Sequence, residues 1–144
     1  MFCLSFMGCE DPNLTRVPKA PVNLILNLTT EYPTFRYNTT DTLVFTKPRL
    51  GHELTDRLGF GGVLVVIGFD KYYAYDLCCP YEADPNIRVY PQENGEAVCK
   101  VCGSTFQLLY GYGSVMKGPS KWSLKPYPVV ESNTPSGDFL IIQN

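Results

Sequence analysis

The chain contains two cysteine-bearing stretches, Cys78-Cys79-Pro80-Tyr81 and Cys99-Lys100-Val101-Cys102-Gly103-Ser104. They hold four of the six cysteines and are separated by the 17 residues 82–98. Because thiolates are soft ligands, two such loops indicate a metal ion, an iron–sulfur cluster or disulfides. The candidate metal ligands are therefore Cys78, Cys79, Cys99 and Cys102.

The sequence around these loops predicts β-strands. Residues 63–69 (VLVVIGF) form a continuous apolar run, as expected for a central strand that is buried on both faces. Residues 71–77 predict its hairpin partner and lead the chain into Cys78. A second hairpin is expected over residues 87–98, where Asn94-Gly95 favours a type I′ turn. Further strands are expected at residues 22–28, 43–46, 105–110, 125–131 and 139–143.

Composition places these strands in one all-β domain. The 144 residues include 12 Gly, 12 Pro and 10 Tyr, and no long amphipathic helix is present. Many short strands at close spacing predict an antiparallel sandwich or barrel. The net charge of −2 gives no basic face for nucleic acid, so nucleic-acid binding is not expected. Aromatic residues in the Gly-rich loops, Tyr110, Tyr112 and Trp122, are the candidate contacts for an unknown protein partner.

The N-terminus resembles the end of a bacterial lipoprotein signal. The apolar run MFCLSFMG at residues 1–8 ends in a small residue immediately before Cys9, and a polar stretch follows. The resemblance implies that Cys9 is acylated and anchors the protein to a membrane of the cell envelope, on its periplasmic or surface side. Residues 1–19 are then the signal end and tether, and residues 20–144 form the β domain. Free thiols in such an oxidising compartment tend to pair unless a metal holds them.

The region from residue 71 onward resembles the Rieske domain, a β fold with a small cluster-binding subdomain. That family holds a [2Fe–2S] cluster with a Cys-x-His loop and a Cys-x-x-His loop. Cys79-Pro80-Tyr81 and Cys99-Lys100-Val101-Cys102 correspond to this pattern. Gly118-Pro119-Ser120 resembles the loop that covers the cluster. The resemblance implies a Rieske-like sandwich or barrel with a cluster-type subdomain at about residues 77–120, and it implies that Ser104 can donate a hydrogen bond to a cluster sulfur.

The chain departs from the family at both histidines. Tyr81 stands at the first histidine position and Cys102 at the second, while the single histidine, His52, lies outside both loops. A conventional Rieske cluster is therefore not expected. In the arrangement of the Rieske family Cys79 and Cys99 would be neighbours, which implies a disulfide between them. Closing this loop would stabilise the folded state by about 3 kcal/mol.

Several alternatives remain open for the loops. Cys99 and Cys102 can pair as a redox-type CxxC motif that takes part in thiol–disulfide exchange. Zinc can be held by three or four of the cysteines, with His52 as a conceivable further ligand. A noncanonical [2Fe–2S] cluster can use all four thiolates and would make the protein an electron carrier. The cysteines can also have no role beyond packing.

No catalytic constellation is present in the sequence. One histidine without a Ser-His-Asp pattern argues against most hydrolase designs. The carboxylates near the first loop, Asp76, Glu82 and Asp84, are expected to be solvated surface groups. The sequence therefore predicts a non-catalytic, lipid-anchored protein whose altered cluster site is stapled by a disulfide or a metal.

Overall fold

The computed structural model describes residues 16–144. Lipidation at Cys9 and most of the predicted tether lie outside the described residues and stay predictions. Within residues 16–144 the protein is all-β, with twelve strands and no α-helix. Over the same range no helix has the length and apolarity that crossing a membrane would require. The strands are β1 (Val22–Asn27), β2 (Thr42–Phe45), β3 (Arg57–Leu58), β4 (Val63–Ile67), β5 (Tyr72–Asp76), β6 (Val89–Pro91), β7 (Glu96–Cys99), β8 (Thr105–Gln107), β9 (Val115–Lys117), β10 (Pro126–Tyr127), β11 (Val129–Thr134) and β12 (Gly137–Gln143).

The strands form three antiparallel sheets. The outer sheet has the order β11-β12-β1-β3, and the middle sheet has the order β10-β5-β4-β2. The third sheet, called the cysteine sheet below, has the order β6-β7-β8-β9. The prediction of an all-β fold is confirmed. The structure contains three sheets because the middle sheet packs against one hydrophobic core on each of its two faces.

Strand β4 explains this layering. Its residues 63–66 are all buried, as predicted for a strand without a solvent face. Val63 and Val65 pack into one core with β1 and β12 of the outer sheet. Leu64 and Val66 point the other way and pack into a second core with residues of the cysteine sheet. Side chains on a strand alternate between faces, so an unbroken apolar run serves two cores at once.

The hairpins around β4 follow the predicted pairing. Strand β5 pairs with β4 in antiparallel register, with Leu64 opposite Tyr75. The hairpin of β6 and β7 is also present, but its turn is not type I′. Gly95 has a φ of +81°, whereas Asn94 is not among the residues with positive φ. Both central residues of a type I′ turn need positive φ. The two strands are therefore joined by a loop in which Gly95 alone is left-handed.

Two further strand predictions had the wrong extent. Strand β8 ends at Gln107 rather than Tyr110, because Leu108 and Leu109 leave the sheet and are buried in the second core. The last hairpin continues to Thr134 opposite Gly137, so the polar loop is shorter than expected. The short strands β3 and β9 were not predicted. They contain only two and three residues, too few for a pattern to show.

Candidate functional site

The two cysteine loops are built alike. In the first loop, residues 78–84, the N–H of Ala83 donates to the carbonyl of Cys79 at 2.9 Å. In the second loop, residues 99–104, the N–H of Gly103 donates to the carbonyl of Cys99 at 2.8 Å. Ala83 has a φ of +51° and Gly103 a φ of +78°. Cys79 and Cys99 are thus each followed, four positions later, by a left-handed residue whose N–H closes a turn on the carbonyl of that cysteine.

This left-handed geometry is costly at Ala83. A side chain with a Cβ in the left-handed region is strained by about 1–2 kcal/mol. Only two non-glycine residues of the described chain, Thr40 and Ala83, have positive φ. Such strain persists where the surrounding structure requires it, and it clusters at functional sites. The first loop therefore has a conformation that its own sequence does not favour.

The loops bring three thiols together. The sulfur atoms of Cys79, Cys99 and Cys102 all lie within 4.8 Å of one another. The Cys79 and Cys102 sulfurs are 3.7 Å apart. Cys79 and Cys99 are fully buried and belong to the second core, whereas Cys102 is half-buried. We call these three residues the thiol triad. Its one accessible member is Cys102.

Cys78 is not part of this group, although it adjoins Cys79. It forms an isolated antiparallel bridge with Arg88, and its sulfur lies 3.4 Å from the carbonyl oxygens of Cys79 and Asp84. Burial, and then the nearby carboxylates of Asp76 and Asp84, raise the pKa of Cys78 to about 12. A thiol in this position is a neutral donor to two carbonyls. The alternation of side chains thus separates the two adjacent cysteines.

The other residues that the sequence singled out lie around the triad or away from it. Tyr81, which the Rieske resemblance aligned with the first histidine, is 37% exposed, and its carbonyl accepts a hydrogen bond from Arg16. His52 is not within the triad's group of candidate ligands. Its backbone instead closes a turn, since its carbonyl accepts the N–H of Asp56.

Ser104 connects the triad to a third loop. The Cys102 thiol donates to the Ser104 Oγ at 3.2 Å, and the same Oγ accepts the N–H of Ser120 at 3.1 Å. A hydroxyl is both donor and acceptor, so the Ser104 proton can turn to Cys102 when that residue is a thiolate. Gly118 permits this approach: a Cβ there would lie 2.5 Å from the Cα of Ser104. The loop of residues 118–120 therefore covers the second cysteine loop at contact distance.

The thiols of the triad differ in their acidity. Burial raises the pKa of Cys79, although the backbone N–H groups of Glu82 and Tyr81 act against it. Burial also acts to raise the pKa of Cys102, but the hydroxyl and N–H of Ser104 and the neighbouring thiols outweigh it. The pKa of Cys102 is lowered as a result. The accessible thiol is thus the one that its surroundings favour as a thiolate.

Asp76 is the structural residue that the sequence analysis missed. It was expected to be a solvated carboxylate, but it is fully buried at the end of β5, directly before the first loop. Its carboxylate accepts the N–H groups of Phe60, Gly61 and Cys78 and the hydroxyl of Tyr127, at 2.6–2.9 Å. Burying a carboxylate is costly unless hydrogen bonds compensate it, and four donors do so here. Glu82 and Asp84, by contrast, are partly exposed.

The segment just before the domain contacts the site region. The Arg16 guanidinium donates to the Tyr81 carbonyl at 2.7 Å and stacks on the Trp122 ring at 4.8 Å. Lys125 donates to the carbonyl of Pro18. Arg16, part of the predicted tether, therefore lies against the first cysteine loop, and Pro18 lies beside Lys125. Of the candidate interaction residues, Tyr110 and Tyr112 are largely exposed, at 56% and 75%.

Comparisons with known proteins add nothing to this geometry. A scan against protein-family models found no match, and a search of curated proteins also found none. The chemistry of the site therefore has to be inferred from its own residues. These are three converging thiols and a serine whose hydroxyl lies 3.2 Å from one of them.

Proposed function

We propose that this chain is a non-catalytic, lipid-anchored envelope protein with a Rieske-like domain in which a thiol centre replaces the cluster. The convergence of Cys79, Cys99 and Cys102 is the observation that carries the proposal. Three residues that the Rieske resemblance aligns with cluster ligands meet at one point, but the imidazoles that define the cofactor are absent. The centre then staples the two loops to each other, through a metal or through a disulfide.

Two other features support the Rieske-like part of the proposal. The cysteine sheet and its loops form a separate layer beside the other two sheets, as expected for a cluster-type subdomain. The loop of residues 118–120 lies on Ser104, as expected for the loop that covers the site. The donor set does not fit a histidine-ligated [2Fe–2S] cluster, because Tyr81 and Cys102 occupy the histidine positions and His52 is not near the triad.

The experiment that tests this function combines iron analysis with localisation. We expect purified protein to lack the visible absorption of an iron–sulfur centre, and we expect a Cys9→Ala variant to move from the membrane to the soluble fraction. Two irons and two sulfides per chain would refute the stapled site and favour the electron carrier. An unchanged membrane fraction after Cys9→Ala would refute the lipid anchor.

A second candidate function, thiol–disulfide exchange, is favoured by Cys102. This thiol is half-buried, its pKa is lowered, and two further thiols lie within 4.8 Å. The Cys102 thiolate would attack a disulfide of the substrate and release one substrate thiolate. Cys79 or Cys99 would then attack the mixed disulfide, which leaves an internal disulfide and a reduced substrate. Full activity of a Cys102→Ser variant in a disulfide-reduction assay would exclude this function.

A further inference from the structure

We propose that the thiol triad binds one zinc ion as a three-thiolate site whose fourth coordination position faces solvent. The inference rests on the proposed function and specifies what the thiol centre holds. It assigns three ligands, Cys79, Cys99 and Cys102, and excludes the adjacent Cys78.

The spacing of the sulfurs fits a metal without any movement of the loops. Zinc–sulfur bonds of about 2.3 Å in a tetrahedron place neighbouring sulfurs about 3.8 Å apart. The Cys79 and Cys102 sulfurs are 3.7 Å apart, so this edge already has the required length. A disulfide needs a separation of about 2.05 Å, and the two sulfurs would have to approach by more than 1.5 Å. It would also leave the third thiol of the group without a partner.

The Ser104 hydroxyl can stabilise a thiolate at Cys102. Its Oγ lies 3.2 Å from the Cys102 sulfur, within hydrogen-bonding distance. A hydrogen bond of this kind orients a metal ligand and stabilises its charge. The left-handed residues Ala83 and Gly103 close the turns that follow Cys79 and Cys99.

The donor set also indicates the kind of metal. An all-thiolate site selects soft or borderline ions such as zinc and copper(I). Two of the three ligands are fully buried, so uncompensated negative charge is costly. A divalent ion leaves one negative charge on the three-thiolate complex, whereas a monovalent ion leaves two. Zinc is therefore favoured.

The number of ligands separates this site from a cluster and from a closed zinc knuckle. Both of those take four protein ligands. Here the Cys78 sulfur is directed at carbonyl oxygens, and His52 is not within reach of the triad. Cys102 lies at the accessible edge of the group, so the fourth position opens on that side.

The test uses the full chain, prepared without chelator and analysed for zinc, copper and iron. It is then stripped and titrated with Co²⁺, whose tetrahedral thiolate complexes absorb in the visible range. We expect one zinc per chain and a thiolate–cobalt spectrum that changes when imidazole occupies the fourth position. Cys102→Ser should abolish stoichiometric binding, and Ser104→Ala should weaken it by about 10- to 100-fold. The matched control is Cys78→Ser, which alters the neighbouring cysteine and should bind as tightly as the wild type. Circular dichroism of each variant verifies folding.

The outcomes distinguish this inference from the proposed function. A metal-free protein with a disulfide within the triad would overturn the zinc site and leave the stapled centre standing. Two irons with sulfide would overturn both. A metal-free protein in which all four loop cysteines react with a thiol reagent after unfolding would also overturn both, since nothing would then join the loops. Equal loss of binding in Cys78→Ser and Cys102→Ser would refute the assignment of three ligands.

Discussion

Replacement of Tyr127 by phenylalanine tests the account of the buried carboxylate that precedes the first cysteine loop. The Tyr127 hydroxyl donates to Asp76 at 2.6 Å, and both residues are buried. Tyr127→Phe keeps the ring, so the packing in the first core is unchanged and only the hydroxyl is lost. Asp76 then retains three backbone N–H donors.

The expected magnitude follows from the charge of the acceptor. Hydrogen bonds to charged groups contribute about 1.5–3 kcal/mol to stability, and those between neutral groups about 1 kcal/mol. We therefore expect Tyr127→Phe to lower the free energy of unfolding by about 2 kcal/mol. In a domain of this size that corresponds to a decrease in Tm of about 8 °C.

The second buried tyrosine provides a matched control. Tyr75 is fully buried and donates to the carbonyl of Leu108 at 2.8 Å, so Tyr75→Phe removes a hydroxyl from a neutral acceptor. Urea unfolding of both variants, followed by far-UV circular dichroism on reduced and metal-free protein, gives the comparison. A loss in Tyr127→Phe that is equal to or smaller than the loss in Tyr75→Phe would refute a charged acceptor at Asp76.

Three further predictions concern a glycine contact, a buried ion pair and the pH dependence of Tyr127. Gly118→Ala should lower the free energy of unfolding by about 1–3 kcal/mol more than Gly51→Ala. Both glycines have positive φ, but only the Cβ at position 118 would meet backbone, at 2.5 Å, and equal urea midpoints would contradict this. Asp56→Asn should cost about 3–5 kcal/mol at pH 7, because it breaks a largely buried pair with Arg49. Burial acts to raise the pKa of Asp56, but Arg49 outweighs it and lowers the pKa. The pair therefore contributes above the ordinary carboxyl pKa of about 3.9 and is lost as the pH falls through the lowered value, so wild type and variant should converge in acid. Burial and then Asp76 raise the pKa of Tyr127, so its contribution is complete below about pH 10 and is lost above it. Above about pH 10, the free energy of unfolding of Tyr127→Phe should therefore fall less steeply with rising pH than that of the wild type. Identical slopes of free energy against pH would count against the raised pKa of Tyr127.

The sequence predicted those parts of the fold in which local pattern and tertiary environment agree. Strand β4 is an example, because an unbroken apolar run has few alternatives to burial on both faces. The Asn94-Gly95 turn was placed correctly but given the wrong type, since the choice among turns depends on where the strands stop pairing. Strand β9 exists only through its contact with β8, and no local signal marks it.

The candidate site was predictable in its members but not in their roles. Two cysteine loops of the observed spacing predict convergence, and alternation predicts that Cys78 and Cys79 diverge. The resemblance singled out Cys79, which does join the triad, whereas the local pattern alone leaves the choice to the register in which the chain leaves β5. Asp76 was misjudged because an acidic residue at the end of a strand is usually solvated. The glycine-rich turn of residues 59–62, whose N–H groups need an acceptor, was the available signal.

The double-sided middle sheet has a consequence for how this protein can change. The residues that support the thiol triad belong to the second core, whereas the outer sheet is held by the first, and the two cores lie on opposite faces of β4 and β5. The side chains of Cys79 and Cys99 contribute nothing to the core that holds the outer sheet. A substitution at either of these cysteines therefore removes packing from the second core alone, and the buried Asp76 with its hydrogen bond to Tyr127 is the direct link through which the first core could respond.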